Sequence, residues 1–214
     1  MKKIILVLFL FLSCYLIYNL TETKSTSCLV IGDSIADNPY IKDSKLITEY
    51  NNQFINKDYR INDLVNIIKY NEEIEEDDKT ISIHRLLKNT DILILSIGMN
   101  DIYYKLEDDT KNIYTYINNM VNNMEIILKE INRYHYRQVI VLGYYNTSNK
   151  HNDLFTYLNY KMKRITNKYN YTYLELNNLL KNNPKYLQNN HNFFLNDQGY
   201  QEIIKIIVAN LKNN

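Results

Sequence analysis

Residues Cys28 to Asn38 read CLVIGDSIADN: a short apolar run stops at Gly32, and Asp33 and Ser34 follow at once. An apolar run of this length ended by glycine predicts a buried strand, which places Ser34 at its carboxyl end. Open α/β sheets gather their ligands at that end of the strands. If a helix begins at or just after Ser34, its first backbone N–H groups have no partner within the helix and can face an oxyanion beside the hydroxyl. The same residues also suit a plain strand-to-helix turn, with Asp33 or Ser34 as the helix N-cap.

Working outward, two further apolar runs repeat the pattern. Asp91 to Ile97 (DILILSI) is followed by Gly98-Met99-Asn100-Asp101, and Val139 to Tyr144 (VIVLGY) leads into the loop Tyr145 to Asn152. Tyr171 to Leu176 predicts a fourth strand. Helical spacing runs from Ile61 to Ile68, through Ile113, Ile117, Met120, Val121, Met124, Ile127, Leu128 and Ile131 within Asp109 to Tyr134, and over Leu154 to Ile165. A short amphipathic piece covers Ile81 to Leu87, and a closing helix spans Gln198 to Leu211 with Asn196 as its N-cap. Tyr40 to Arg60 has no clear periodicity. Strands apolar on both faces that alternate with helices predict a parallel sheet covered on both sides, an α/β fold. Right-handed crossovers then bring Ser34, Asn100, the Tyr145 to Asn152 loop and the Asn190 to Asn196 loop to one edge.

The 214 residues fit one domain, and 25 Lys+Arg against 24 Asp+Glu leave a net charge of +1, so no nucleic-acid footprint is expected. The acidic cluster Glu72 to Asp78 (EEIEEDD) reads as a solvated helix end or loop, because its carboxylates run consecutively instead of converging on a metal. The 21 tyrosines stand in a chain rich in Asn, Ile and Lys, so they read as compositional bias more than as a binding stripe.

Lys2 and Lys3 precede a 17-residue apolar segment, Ile4 to Leu20. That length suits a single membrane crossing better than the apolar core of a signal peptide. Ser13-Cys14 resembles a lipoprotein cleavage site, yet the apolar run continues past Cys14. Residues 1–20 are therefore expected to be an uncleaved membrane anchor, with 21–26 a tether and 27–214 the domain. The positive-inside rule puts the domain on the extracytoplasmic side of the cell membrane, with secretion after cleavage as the alternative. Cys14 and Cys28 fall in different settings and are not expected to bridge.

Ester hydrolysis by serine needs a hydroxyl, a base for its proton and donors for the developing oxyanion. Ser34 supplies the hydroxyl, and Asn100, at the end of another strand, can offer a side-chain N–H. The G-D-S after the first strand, the G-x-N-D after an internal strand and the N-D-x-G-Y opening the last helix together resemble the SGNH/GDSL hydrolases, serine esterases and lipases of flavodoxin-like three-layer α/β/α fold. The resemblance runs from about Ser27 to the C-terminus. The G-x-S-x-G elbow of other α/β hydrolases is absent.

The resemblance implies Ser34 as nucleophile and, through its backbone N–H, one oxyanion donor, with Asn100 another. It makes Asp33 a structural partner of the nucleophile loop and Gly98 the residue permitting a tight turn. It implies no metal and no organic cofactor, and a small-molecule, glycan or lipid ester as substrate. Two positions depart from the family pattern. Where the family has an oxyanion-hole glycine, the register of FINKDYRINDL places Asp58, whose amide can still donate while its carboxylate opposes negative charge. Where the family has its base histidine stands Phe194, and the expected aspartate three residues earlier is His191. His191 is therefore the displaced candidate base, with His151, after the third strand, in reserve; His84 and His135 read as surface or cap residues. These departures leave two expectations open: a membrane-anchored serine esterase, or an SGNH-fold module that has lost catalysis and binds a surface glycan, lipid or protein.

Overall fold

Apolar runs with no polar alternation can be buried on both faces only inside a layered sheet, and the computed structural model places three of them side by side. It describes residues 27–33, 51–55, 58–76, 79–108, 110–146, 151–180, 183–186 and 195–212. In chain order the elements are β1 (Cys28–Gly32), β2 (Asn51–Ile55), α1 (Ile61–Tyr70), β3 (Glu73–Glu76), β4 (Lys79–Ser82), α2 (Ile83–Lys88), β5 (Ile92–Ser96) and α3 (Met99–Asp108). There follow α4 (Ile113–Ile131), β6 (Gln138–Leu142), α5 (Asn152–Lys168), β7 (Thr172–Leu174), α6 (Asn177–Leu180), a 3-10 turn at Pro184–Tyr186, and α7 (Asp197–Lys212).

The main sheet runs β2-β1-β5-β6-β7 with every neighbouring pair parallel. All five residues of β1, of β5 and of β6 are buried. Each fully buried Leu, Ile or Val in them contributes on the order of 1.5 to 3 kcal/mol. α1 packs against α4, and α4 against α5. Right-handed crossovers place these three on one face and leave α7 to cover the other. Tyr200, Ile203 and Ile207 of α7 are buried, and Gln138 at the start of β6 donates its amide N–H to the Asn210 carbonyl at 3.3 Å.

Several boundaries differ from the sequence reading. Within the acidic cluster, Glu73–Glu76 is not a helix end or loop but strand β3, which pairs antiparallel with β4 so that Ile74 faces Ile81, while residues 77–78 lie outside the described residues. Alternation at period two, with Ile74 buried, outweighs the charge run. Ile81 accordingly lies inside a strand that ends at Ser82, and the helix begins at Ile83, capped by Ser82 Oγ, which accepts the Arg85 N–H at 3.2 Å. β2 arises from the polar stretch NNQFI, where no strand was expected. α3 was not expected either, and it separates from α4 at Asn112, which is left-handed at φ 57°. Asn196 caps α7 as read: its side-chain oxygen accepts the Gly199 N–H at 3.1 Å. Ser34, His191 and Phe194 lie outside the described residues, as does the apolar segment 4–20. Among the described residues no helix is long and apolar enough to cross a membrane.

Candidate active site

Gly32 and Ser96 stand level in the sheet, so the residues after β1 and after β5 emerge together. This is also where the strand order reverses, with β2 on one side of β1 and the rest on the other, the position at which open α/β sheets form their crevice.

Asp33 extends the pairing by one bond, donating its N–H to the Ser96 carbonyl at 2.9 Å. Its fully buried carboxylate then crosses to the next strand's loop, where Oδ2 accepts the N–H of Gly98 at 3.0 Å and of Met99 at 2.9 Å. Backbone donors at a helix start have no partner within the helix. Asp33 therefore caps α3 from another strand and sets a negative charge at the positive end of its dipole.

The turn between them strongly favours glycine. Gly98 has φ +104°, and a Cβ there would lie 2.6 Å from Tyr144 Oη and 2.7 Å from Ile61 Cδ1. Asn100 follows in the first turn of α3 and is buried. Its amide donates to the Tyr59 carbonyl at 3.3 Å. Asp101, also buried, accepts the N–H of Ile61, the first residue of α1, at 3.0 Å. Burial pushes the Asp101 carboxyl up from 3.8 to about 6, against the lowering effect of the Ile61 N–H and the Arg60 cation. Asp58 is an exposed turn residue directly before Tyr59. The blocks at 32–33, 58–61 and 98–101 are thus laced together at one rim, with Asn100 and Asp101 holding the loop that carries Asp58.

The third strand adds another side to this rim. Gly143 donates its N–H to the Leu174 carbonyl at 2.8 Å, and a Cβ on Gly143 would sit 2.7 Å from that same oxygen. Asn159 of α5 then brackets Tyr144, accepting its N–H and donating to its carbonyl, both at 2.8 Å. Tyr173 donates its hydroxyl to Asn159 Oδ1 at 2.5 Å. One turn of loop later, the Asn146 N–H goes to Asn177 Oδ1 at 2.8 Å. Tyr103 and Tyr145 are buried and share a side-chain hydrogen bond, and burial drives both hydroxyls well above their ordinary range. They stay protonated rather than act as bases, with the Tyr145 hydroxyl donating to that of Tyr103.

The described histidines have separate settings. His151, left-handed at φ 72°, precedes α5 and lines a cavity of about 600 Å³ with Leu106, Thr110, Ile113 and Tyr114, beside the far half of α3. His84 Nε2 donates to the Ile68 carbonyl at 2.7 Å, near the opposite end of α1 from Ile61. His135 is exposed after α4. Among the described residues no three His, Cys, Asp or Glu side chains converge as a metal site would require. Sequence reasoning did not single out Tyr144 or Asn159. Asn159 carried a faint signal, a polar residue inside the apolar stripe of Phe155, Leu158 and Met162.

No protein-family model matches this chain, and no curated protein does. Solved structures do match it. LAE5, an alpha/beta hydrolase enzyme from the metagenome of Lake Arreo, Spain, is 14% identical, with 86% of this chain and 94% of that one covered at a TM-score of 0.59. Axe2, an acetylxylan esterase from Geobacillus stearothermophilus, is 13% identical, with 87% and 95% covered at 0.59. A protein assigned as a GDSL-like lipase from Parabacteroides merdae is 13% identical, with 85% and 93% covered at 0.58. The sheet order, the crossovers and these neighbours agree: this chain has the fold of the SGNH/GDSL hydrolases.

Proposed function

We propose that the chain is an SGNH/GDSL-type serine hydrolase that cleaves an acyl or acetyl ester. The observation that carries this reading is the Asp33 carboxylate on the Gly98 and Met99 N–H groups. It fixes the residue covalently before Ser34 against the helix turn that bears Asn100. In the proposed reaction Ser34 Oγ attacks the ester carbonyl carbon while His191, or His151 in its place, takes the hydroxyl proton. The tetrahedral oxyanion is held by the Ser34 N–H, the Asn100 amide and the Asp58 N–H. Its collapse expels the alcohol, which leaves with the proton from the imidazole. Water then attacks the acyl-serine and the acid departs, restoring Ser34. Asp33 and Gly98 act by shaping the rim.

The neighbour Axe2 is an acetylxylan esterase, and its variants described as catalytic mutants replace a serine, an aspartate and a histidine. An O-acetylated glycan is accordingly within the substrate range proposed here, beside lipid and small esters. The apolar segment 4–20 would hold the enzyme in the cell membrane with its domain on the extracytoplasmic side.

The test is fluorophosphonate labelling and 4-nitrophenyl acetate turnover by the full chain. Both are expected for the wild type and lost in Ser34→Ala; an inert wild type, or a Ser34→Ala variant of undiminished activity, rejects the proposal. Phe194, standing where the family has its base, favours the second reading, a binding module without catalysis. Under that reading the wild type is inert and Phe194→His gains turnover.

A further inference from the structure

We propose that Tyr144 is a positioning residue for the oxyanion side of this site, through its phenol's grip on the turn at Ile97 and Gly98. The activity readout rests on the hydrolase reading above; the geometry does not.

Tyr144 is buried in the loop after β6 and donates its hydroxyl to the Ile97 carbonyl at 3.0 Å. The same oxygen lies 2.6 Å from where a Cβ of Gly98 would be, so it packs directly on that Cα. The turn is therefore gripped from two sides. Asp33 takes the N–H groups of Gly98 and Met99, and Tyr144 supplies the donor to the carbonyl just before them. Two residues beyond Gly98 stands Asn100. The grip is itself anchored, because Asn159 brackets the Tyr144 backbone and receives the Tyr173 hydroxyl. Burial also keeps the Tyr144 phenol protonated, so it remains a donor across the working pH range. A hydroxyl buried at this cost, aimed at the one carbonyl that precedes a glycine of positive φ, fixes the direction in which α3 starts.

Tyr144→Phe keeps the ring and removes the grip. An oxyanion donor moved out of place loses part of a contribution worth roughly 10²- to 10³-fold in kcat. We expect kcat on 4-nitrophenyl acetate, per fluorophosphonate-titrated site, to fall about tenfold or more, with KM unchanged. The Asn100 side-chain NH₂ resonances should shift in the same variant. Tyr136→Phe is the control: that hydroxyl is also buried but has no hydrogen-bond partner among the described residues, and its removal should leave kcat and the Asn100 signals alone. If Tyr144→Phe does not accumulate, Tyr173→Phe loosens the Asn159 bracket and should lower kcat in the same direction by less. An active wild type whose kcat and Asn100 resonances are matched by Tyr144→Phe, or by Tyr173→Phe where that variant stands in, overturns the inference and leaves the hydrolase reading intact. An inert wild type overturns the hydrolase reading, and the Asn100 shift then decides the positioning role alone.

Discussion

The Asp33 carboxylate accepts the Met99 N–H at 2.9 Å and the Gly98 N–H at 3.0 Å from the same oxygen, joining the end of β1 to the start of α3. Both donors are buried with it. Removing the carboxylate leaves two backbone N–H groups without water or partner, and each such group costs about 1 to 3 kcal/mol. Asp33→Ala is expected to lower unfolding free energy by about 3 kcal/mol, and Asp33→Asn, which keeps an acceptor oxygen, by less. Urea denaturation measures both; equal midpoints for wild type and Asp33→Ala would contradict the capping role.

Gly98 meets two independent restrictions, a φ of +104° and a wall made by Tyr144 Oη and Ile61 Cδ1. Strain at such a φ costs on the order of 1 to 3 kcal/mol, and overpacking adds a similar amount. Gly98→Ala should therefore lose roughly 3 kcal/mol or more. Gly98→Ala in a Tyr144→Phe background should recover part of that loss, because the closest contact has been removed. Thermal unfolding of the two variants side by side checks this, and identical losses would argue against the steric wall.

Burial raises the Asp101 carboxyl from 3.8 to about 6, so the folded protein binds more protons than the unfolded chain between those values. The sign follows from linkage: this group's contribution is fully present below about pH 4 and is lost as pH rises through about 6. The window corresponds to about 3 kcal/mol. Asp101→Asn is neutral throughout and keeps an oxygen for the Ile61 N–H. Its stability relative to wild type should therefore be highest at pH 7 and shrink steadily towards pH 4. A difference that does not change across that range, followed by urea denaturation, would reject the raised carboxyl.

The parts of this fold that could be read from the sequence are those fixed by local chemistry. β1, β5 and β6 are continuous apolar runs, the stripe of α4 repeats at helical spacing, and Asn196 caps a helix within its own first turn. What escaped reading depends on partners far away in the chain. α3 starts at Met99 because Asp33, 66 residues earlier, accepts its N–H; Gly98-Met99-Asn100-Asp101 alone reads equally well as a turn. β2 lies at the sheet edge, paired on one side only, so NNQFI needed no apolar run to take its place. The same division runs through the candidate site. Asp33, Gly98 and Asn100 stand out in motifs, whereas the second hold on the Gly98 turn comes from Tyr144, seated by Asn159; these two share no motif with the others and meet only after β6 and α5 have packed.

Asn159 is the residue through which that packing is tested most directly. It lies on a buried face of α5 and gives the Tyr144 backbone both an acceptor and a donor at 2.8 Å, while also taking the Tyr173 hydroxyl. An amide side chain offers one acceptor oxygen and one donor group in fixed relation, which is the pattern a strand end presents after its last sheet bond. Asn159→Ala leaves an N–H, a carbonyl and a phenol buried without their partner and opens a small cavity. The loss should be about 3 to 4 kcal/mol by the cost of unsatisfied buried groups. Asn159→Asp keeps the acceptor but turns the donor into a second acceptor facing the Tyr144 carbonyl, so it should also destabilise, and more at pH 7 than at pH 4, where the carboxyl regains a proton. Asn159→Leu, which fills the volume but satisfies none of the bonds, separates the two contributions: if it restores wild-type stability, the site needs bulk and not hydrogen bonds. Hydrogen exchange at the Tyr144 N–H should accelerate in Asn159→Ala and Asn159→Leu but not in Asn159→Asp, whose remaining oxygen still holds that proton.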